Sequence, residues 1–362
     1  MKKKRLGIIL ASICAIGAVT GCAGGGKTGN LMEAYAETSG VIAAEAGTSA
    51  GTTAPQAEGA GQNEAATEAA VQQTGEPSTV YMTADISPAG LMAVYETLNA
   101  GTLGEHVAVK ISTGENGSNY LRPELIGGLV QAVNGTIVEC NTAYGGDRSS
   151  TAYHRQLAAD HGYTEIAEVD IMDADGSMTL PVAGGSNLSE NYVGSHFADY
   201  DYYVVLSHFK GHAMAGFGGA IKNISIGIAS SEGKTHIHTA GKGGSMWGAP
   251  QDPFLESMAE AGKSVSDYMG GKMLYINVMN RLSVDCDCDG NPAEPDMHDI
   301  GILASFDPVA LDQACIDLVY SAEDGGSLVQ RIESRNGLHI LEHAAEIGLG
   351  SRNYNIVSID EP

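Results

Sequence analysis

The sequence predicts an α/β domain built on a doubly wound, mostly parallel open sheet with flanking helices, preceded by a disordered spacer. Three observations carry this. Short β-branched runs alternate with longer helical patterns after about residue 100. Those runs are continuously apolar rather than alternating, as strands covered on both faces are. And residues 23–77, rich in Ala, Gly, Thr, Glu and Gln, hold almost no large apolar side chains, so they bury too little surface to offset their chain entropy.

The strand runs, in order, are HVAVKIS (106–112), GTIVECN (135–141), AEVDIM (167–172), YYVVLSH (202–208), KMLYINVM (272–279) and IGILASF (300–306). Helical patterns lie between and after them: RPELIGGLVQAV, TAYHRQLAADHGY, DPFLESMAEAGKSVSDYM and PVALDQACIDLVY. Pro123 near the start of the first and Asp307-Pro308 at the start of the last are good N-terminal cap chemistry. No repeat of fixed period is visible.

The first 22 residues read as a lipoprotein signal peptide. Lys2, Lys3, Lys4 and Arg5 precede an apolar stretch too short to span a bilayer comfortably, and Val19-Thr20-Gly21-Cys22 resembles a bacterial lipobox with Cys22 as the lipidated residue. An uncleaved anchor is the alternative; under either, the remainder is extracytoplasmic and membrane-anchored, its partner a lipid bilayer. Residues 23–77 then form a spacer and 78–362 the α/β domain.

The formal charge of −25 divides into +4 over residues 1–22, −6 over the spacer and −23 over the domain. A domain so acidic is not expected to bind nucleic acid through phosphates. Beyond Cys14 and Cys22, the cysteines are Cys140, Cys286, Cys288 and Cys315. Two disulfides are possible in an exported chain. A Cys286–Cys288 bond is expected to be strained along one extended segment, so the pair is expected to face a shared object.

In open α/β sheets, ligands bind beyond the carboxyl ends of the strands. Here those ends are followed by TAYGGDR, SHFKGH, NRLSVDCDCDG and SFDP, where polar and metal-capable residues gather. In GHAMAGFGGAIKN, glycines including Gly218 and Gly219 permit close backbone approach to an anion, which Lys210 and Lys222 would neutralise; a glycine-rich crossover is the bland alternative. EGKT (232–235) lacks the earlier glycine of a phosphate loop.

His208 and His212, and His236 and His238, are spaced as paired metal ligands on a helix and on an extended segment respectively, or as caps and acid–base groups. In Asp285-Cys286-Asp287-Cys288-Asp289-Gly290 a thiolate zinc or iron site, or half of an iron–sulphur site, ranks first, with Cys286 and Cys288 as ligands and the remainder from Cys140, Cys315 or the histidines. A calcium loop using Asp285, Asp287, Asp289 and Asp296 ranks second, weakened by Pro292 and Pro295, and an inert acidic turn ranks third. Neither a serine elbow nor a dinucleotide fingerprint is present.

Taken together, VAVKIS, Asn141-Thr142-Ala143-Tyr144 with Gly146-Asp147-Arg148, SHFKGHAMAGFGGAIKNISIGIAS, Gly233-Lys234, CDC and DIGILASFDPVALDQA resemble the bacterial and archaeal family called domain of unknown function 362, often labelled uncharacterised iron–sulphur centre proteins. The likeness runs over nearly all of residues 79–358. It implies an α/β domain; some members insert ferredoxin-like cysteine clusters after the Gly-Lys and histidine segment. Residues 239–251 contain no cysteine, so the resemblance lends this chain no four-cysteine iron–sulphur cluster.

The reading that follows is a metal-dependent enzyme, redox chemistry included, acting on a small anionic substrate. Lys210, His212, Lys222 and Asn223 are the candidate catalytic residues. Lys110, Arg148, Gly218, Gly219, Lys234 and Asp307 are the candidate substrate contacts. Cys286, Cys288, His236, His238 and Asp289 are the candidate metal ligands, for zinc, iron or, alternatively, calcium. The rival is a non-catalytic lipoprotein that binds a metal or small ligand. Oligomeric state is not legible.

Overall fold

The computed structural model describes residues 76–361; the signal peptide, Cys22 and the spacer up to residue 75 lie outside the described residues. The chain runs β1 (Ser78–Thr83), α1 (Pro88–Thr97), β2 (Val107–Lys110), α2 (Pro123–Ala132), β3 (Thr136–Glu139), α3 (Thr151–Asp160), β4 (Val169–Ile171) and a hairpin of β5 (Ser177–Pro181) and β6 (Glu190–Gly194). Then come β7 (Tyr202–His208), a small hairpin of β8 (Lys210–His212) and β9 (Gly216–Gly218), α4 (Ala220–Ser225), α5 (Ser231–His238) and α6 (Gln251–Met269). The last part is β10 (Met273–Met279), β11 (Gly301–Ser305), α7 (Pro308–Ser321), α8 (Gly326–Ser334), α9 (His339–Glu346) and β12 (Tyr354–Ser358).

Eight strands form the main sheet in the order β12-β1-β11-β10-β7-β2-β3-β4. From β10 to β4 every pairing is parallel, with Val205 of β7 between Tyr275 of β10 and Lys110 of β2. β11 is antiparallel to both its neighbours, β10 and β1. The mostly parallel, doubly wound architecture is thus observed.

β7 shows why the sequence folds this way. Tyr202, Val204 and Leu206 enter the core on one face, with Leu91 and Val94 of α1 and Ile126 and Leu129 of α2. Tyr203 and Val205 enter the other, with Ile221 and Ile224 of α4, Met258 of α6 and Leu311 of α7. Each fully buried aliphatic side chain contributes roughly 1.5–3 kcal/mol, which a strand alternating with polar residues would forgo on one face. Among the described residues no helix is long and apolar enough to cross a membrane.

Candidate functional site

The carboxyl ends of β2, β3, β7 and β10 lie side by side, and the loops that follow them are tied together. The backbone N–H of Glu115, after β2, donates to the Asp287 carbonyl, after β10, at 2.8 Å. Gly211 donates to the Ser283 carbonyl at 2.9 Å. A Cβ on Gly211 would lie 2.2 Å from the Val284 carbonyl oxygen, so only glycine permits this approach.

Beneath the loops is a buried charge layer. Lys110, fully buried, donates from Nζ to Glu139 Oε1 at 2.9 Å, Asn223 Oδ1 at 2.9 Å and the Ile111 carbonyl at 2.6 Å. Asn223 Nδ2 donates to the carbonyls of Lys110 and Leu206 and to Ser207 Oγ, so all of its amide binds protein. Arg148 Nε donates to Glu115 Oε1 at 2.8 Å, Nη2 to the Tyr144 hydroxyl at 2.9 Å, and Nη1 lies 3.8 Å from Glu139. Burial pushes the Glu139 carboxyl up, but Lys110, Arg148 and Lys234 outweigh it and hold it at about 2.

Above this layer sits a sulfur centre. Cys286 and Cys288 are bonded to each other, with Cα atoms 5.4 Å apart, inside the ordinary range for a disulfide. This corrects the expectation of a strained, unbonded pair. The segment is not extended: the Asp289 N–H donates to the Cys286 carbonyl at 3.0 Å, closing a turn that folds one sulfur onto the other. A His212 ring nitrogen lies within 4.8 Å of both sulfurs, and the three residues form a group of the size that can hold a metal ion. Lys222 Nζ lies 3.9 Å from Cys288 Sγ.

The protonation of these groups follows from their partners. His212 Nδ1 accepts the backbone N–H groups of Ala215 at 2.9 Å and Met214 at 3.2 Å, so the neutral ring carries its proton on Nε2. Burial and then Lys222 push its pKa well below the usual value, so the ring is neutral at physiological pH. Burial first and Arg148 second bring the Lys222 amine down to about 8.

A metal fits this centre only when the pair is reduced. A disulfide offers no thiolate, and the free nitrogen of His212 carries a proton rather than a lone pair. Reduced, Cys286 and Cys288 supply two soft donors. His238 has the tautomer a ligand needs: its Nδ1 donates to the Lys234 carbonyl at 2.6 Å, which leaves the lone pair on Nε2. Burial holds it neutral, with a pKa of about 4.

Other predicted residues are placed elsewhere or otherwise engaged. His236 and His238 lie on helix α5, not an extended segment, where residues two apart point about 200° from each other. His236 packs on Tyr192 at 4.9 Å and His238 on Phe254 at 5.0 Å. His208 ends β7 and pairs with Asp287 at 3.0 Å, and Lys210 pairs with the same carboxylate, so the two histidines 208 and 212 share no helix face. Burial pushes the Asp287 carboxyl up, yet His208 and Lys210 hold it well below the carboxylate range.

The four carboxylates of the calcium reading face other partners in this structure. Asp285 meets Arg331 at 3.1 Å, Asp287 meets His208 and Lys210, Asp289 accepts the Asn291 N–H at 2.8 Å, and Asp296 accepts the Ser327 hydroxyl at 2.5 Å. Asp289 is likewise outside the sulfur group. Among the described residues, His212, Cys286 and Cys288 form the only such group.

Two substrate expectations also change. Asp307 caps α7, accepting the N–H groups of Val309 at 2.9 Å and Ala310 at 3.0 Å. Because β11 is antiparallel, its carboxyl end and Asp307 lie at the opposite edge of the sheet. Gly218 and Gly219 do lead into the start of α4, but a protein carboxylate already occupies that end. Asp312 accepts from Ala220 N at 2.8 Å and Ile221 N at 2.9 Å, and a Cβ on Gly219 would lie 2.3 Å from Asp312 Oδ1. Burial raises the Asp312 pKa to about 6.

Five cations, Lys110, Arg148, Lys210, Lys222 and Lys234, stand against three carboxylates, Glu115, Glu139 and Asp287. Three cations are paired by them, and Lys222 and Lys234 have no carboxylate within 4.0 Å among the described residues. Lys234 Nζ donates instead to the Ala229 carbonyl at 2.6 Å. Glu115 and Glu139 were not singled out from the sequence. The available signal for Glu139 was an acid inside the apolar run TIVEC.

The chain is an α/β protein with buried cations and a cysteine pair at the carboxyl edge of a parallel sheet. The chain belongs to the family described as domain of unknown function (DUF362), whose profile matches residues 107–317, the span that holds every residue of the charge layer and sulfur centre. No curated protein matches it. Among solved structures it is similar to the lactate racemase apoprotein from Thermoanaerobacterium thermosaccharolyticum, at 12% identity and TM-score 0.40, over 67% of this chain and 57% of that one. It is also similar to a protein from Thermotoga maritima, at 14% identity and TM-score 0.35, over 72% of this chain and 58% of that one. The chain therefore spans less than two thirds of either.

Proposed function

We propose that this protein is an extracytoplasmic enzyme, tethered through lipid on Cys22, that acts on a small anionic substrate at the Cys286–Cys288 centre. The carrying observation is the Lys222 amine, 3.9 Å from Cys288 Sγ, beside a His/Cys group. Its ammonium is a local positive charge on a strongly acidic domain, which concentrates small anions there. Lys110, Glu139 and Asn223 hold the floor of the site rigid, and His212 has a ring nitrogen within 4.8 Å of both sulfurs.

In the reduced state Cys286 and Cys288 would hold a zinc or iron ion through their two thiolates. A metal so held supplies Lewis-acid or one-electron chemistry. The reading is tested on full-length protein purified under reductant without oxygen. Near-stoichiometric zinc or iron, lost in Cys288→Ser, supports it; no metal in the reduced protein counts against it. A ligand recovered unaltered across a substrate screen would mark a binding protein instead. The tether is checked by Cys22→Ser, which should move the protein from the membrane to the soluble extracytoplasmic fraction.

A further inference from the structure

We infer that Cys286 and Cys288 form a reversible dithiol–disulfide couple, with Cys288 the attacking sulfur, that exchanges two electrons with a small anionic thiol or disulfide. The inference uses the site proposed above but not its metal.

The domain's four cysteines are treated differently by the fold. Cys140 and Cys315 are free and buried; burial pushes the Cys140 thiol up to about 12 and the Cys315 thiol well above its usual value. Such thiols are inert. The bonded pair stands at the rim, both residues partly accessible. Its bond spans a sequence separation of two. By the chain-entropy relation so short a loop stabilises about half as much as a 15-residue loop. As a staple the bond achieves little, and its surroundings suit reactivity better.

Those surroundings are asymmetric. Cys288 Sγ has the Lys222 amine at 3.9 Å, whereas Cys286 Sγ receives only the Cys288 backbone N–H at 3.4 Å. A cation beside one sulfur draws an incoming anionic disulfide onto that sulfur, which makes Cys288 the point of attack. His212, with Nδ1 held by backbone, has a ring nitrogen within 4.8 Å of both sulfurs. Lys222, with no carboxylate within 4.0 Å among the described residues, selects an anionic partner.

The chemistry balances without a further reactant. The Cys288 thiolate attacks one sulfur of a substrate disulfide, forming a mixed disulfide and releasing one substrate thiolate. The Cys286 thiol loses its proton to water and attacks Cys288 Sγ. The mixed bond breaks, the second substrate thiolate leaves, and both thiolates are protonated by solvent. Two electrons pass to the substrate and the pair is oxidised. The reverse steps, consuming two substrate thiols, regenerate the dithiol.

The test uses reduced full-length protein with a metal chelator present, exposed to oxidised glutathione, which is anionic, or to cystamine, which is cationic. The expected result is loss of two thiols per chain with release of two glutathione thiols, while Cys140 and Cys315 stay reduced. Cys286→Ser should accumulate a mixed disulfide on Cys288. Lys222→Gln should slow the reaction with oxidised glutathione about tenfold and leave the cystamine reaction no slower. The inference is overturned if the pair stays reduced, if Cys288→Ser reacts as fast as the parent, or if Lys222→Gln affects both disulfides equally. Exchange without metal binding would sink the metal reading alone; metal binding without exchange would sink this inference alone.

Discussion

The Lys222 amine lies 3.9 Å from the Cys288 sulfur and has no carboxylate within 4.0 Å among the described residues. A buried amine without a counter-charge loses part of its proton affinity, and burial and then Arg148 bring this one down to about 8. The ammonium is therefore present below pH 8 and lost above it. An anion held by this group should bind roughly tenfold less at pH 9 than at pH 7. Carbon-13 NMR of reductively methylated lysines checks the titration, with the resonance assigned by its loss in Lys222→Arg; a midpoint near the ordinary 10.5 would contradict it.

Glu139 is the shared counter-ion of Lys110 and Arg148. Replacing it with Gln leaves the Lys110 ammonium buried beside an amide. Breaking a buried pair from one side typically costs about 3–5 kcal/mol, so Glu139→Gln should lower the thermal midpoint sharply, as calorimetry would show. A variant of unchanged stability would mean that Lys110 is neutral or hydrated in the native protein.

Asp312 supplies a pH dependence of stability. Its folded pKa of about 6 lies above the ordinary 3.8, raised chiefly by burial. The stability it contributes is fully present below pH 3.8 and is lost as pH rises through about 6, on the order of 3 kcal/mol in all. Glu139 acts oppositely, losing its contribution as pH falls from 4.5 toward about 2. Urea unfolding at several pH values should show a flatter profile between pH 4 and 6 for Asp312→Asn than for the parent. Parallel profiles would contradict the assignment.

Reduction of the disulfide should cost little stability, roughly 1.5 kcal/mol by the loop-closure relation. Thermal unfolding with and without reductant reads this directly. A collapse of the fold on reduction would make the bond structural.

The strands were legible as short apolar, β-branched runs, with Glu168 and Asp170 interrupting only the edge strand β4, and all six runs became strands of the main sheet. Strand direction was not legible. Nothing in IGILASF marks β11 as antiparallel, so Asp307 was expected at the functional edge and lies at the other. β12 is mostly exposed, and an edge strand with a polar face leaves no apolar run to read. The helix SEGKTHIH was read as extended because it is short and polar; its signal was Ser230, whose side chain caps Gly233 N. The lysines, His212 and the CDC turn were legible from their types and their positions after strand ends. Their counter-ions Glu115 and Glu139 were not, since one sits in a loop and the other hides inside a strand.

The central claim is that the Lys222 amine and the Cys288 sulfur share one site. Alkylation of the reduced protein by iodoacetate and by iodoacetamide, followed at Cys288 by peptide mass spectrometry, measures it. The rate ratio of the anionic to the neutral reagent should fall severalfold, on the order of tenfold, in Lys222→Gln relative to the parent. An unchanged ratio would place the amine away from the sulfur and remove the basis of the proposed centre.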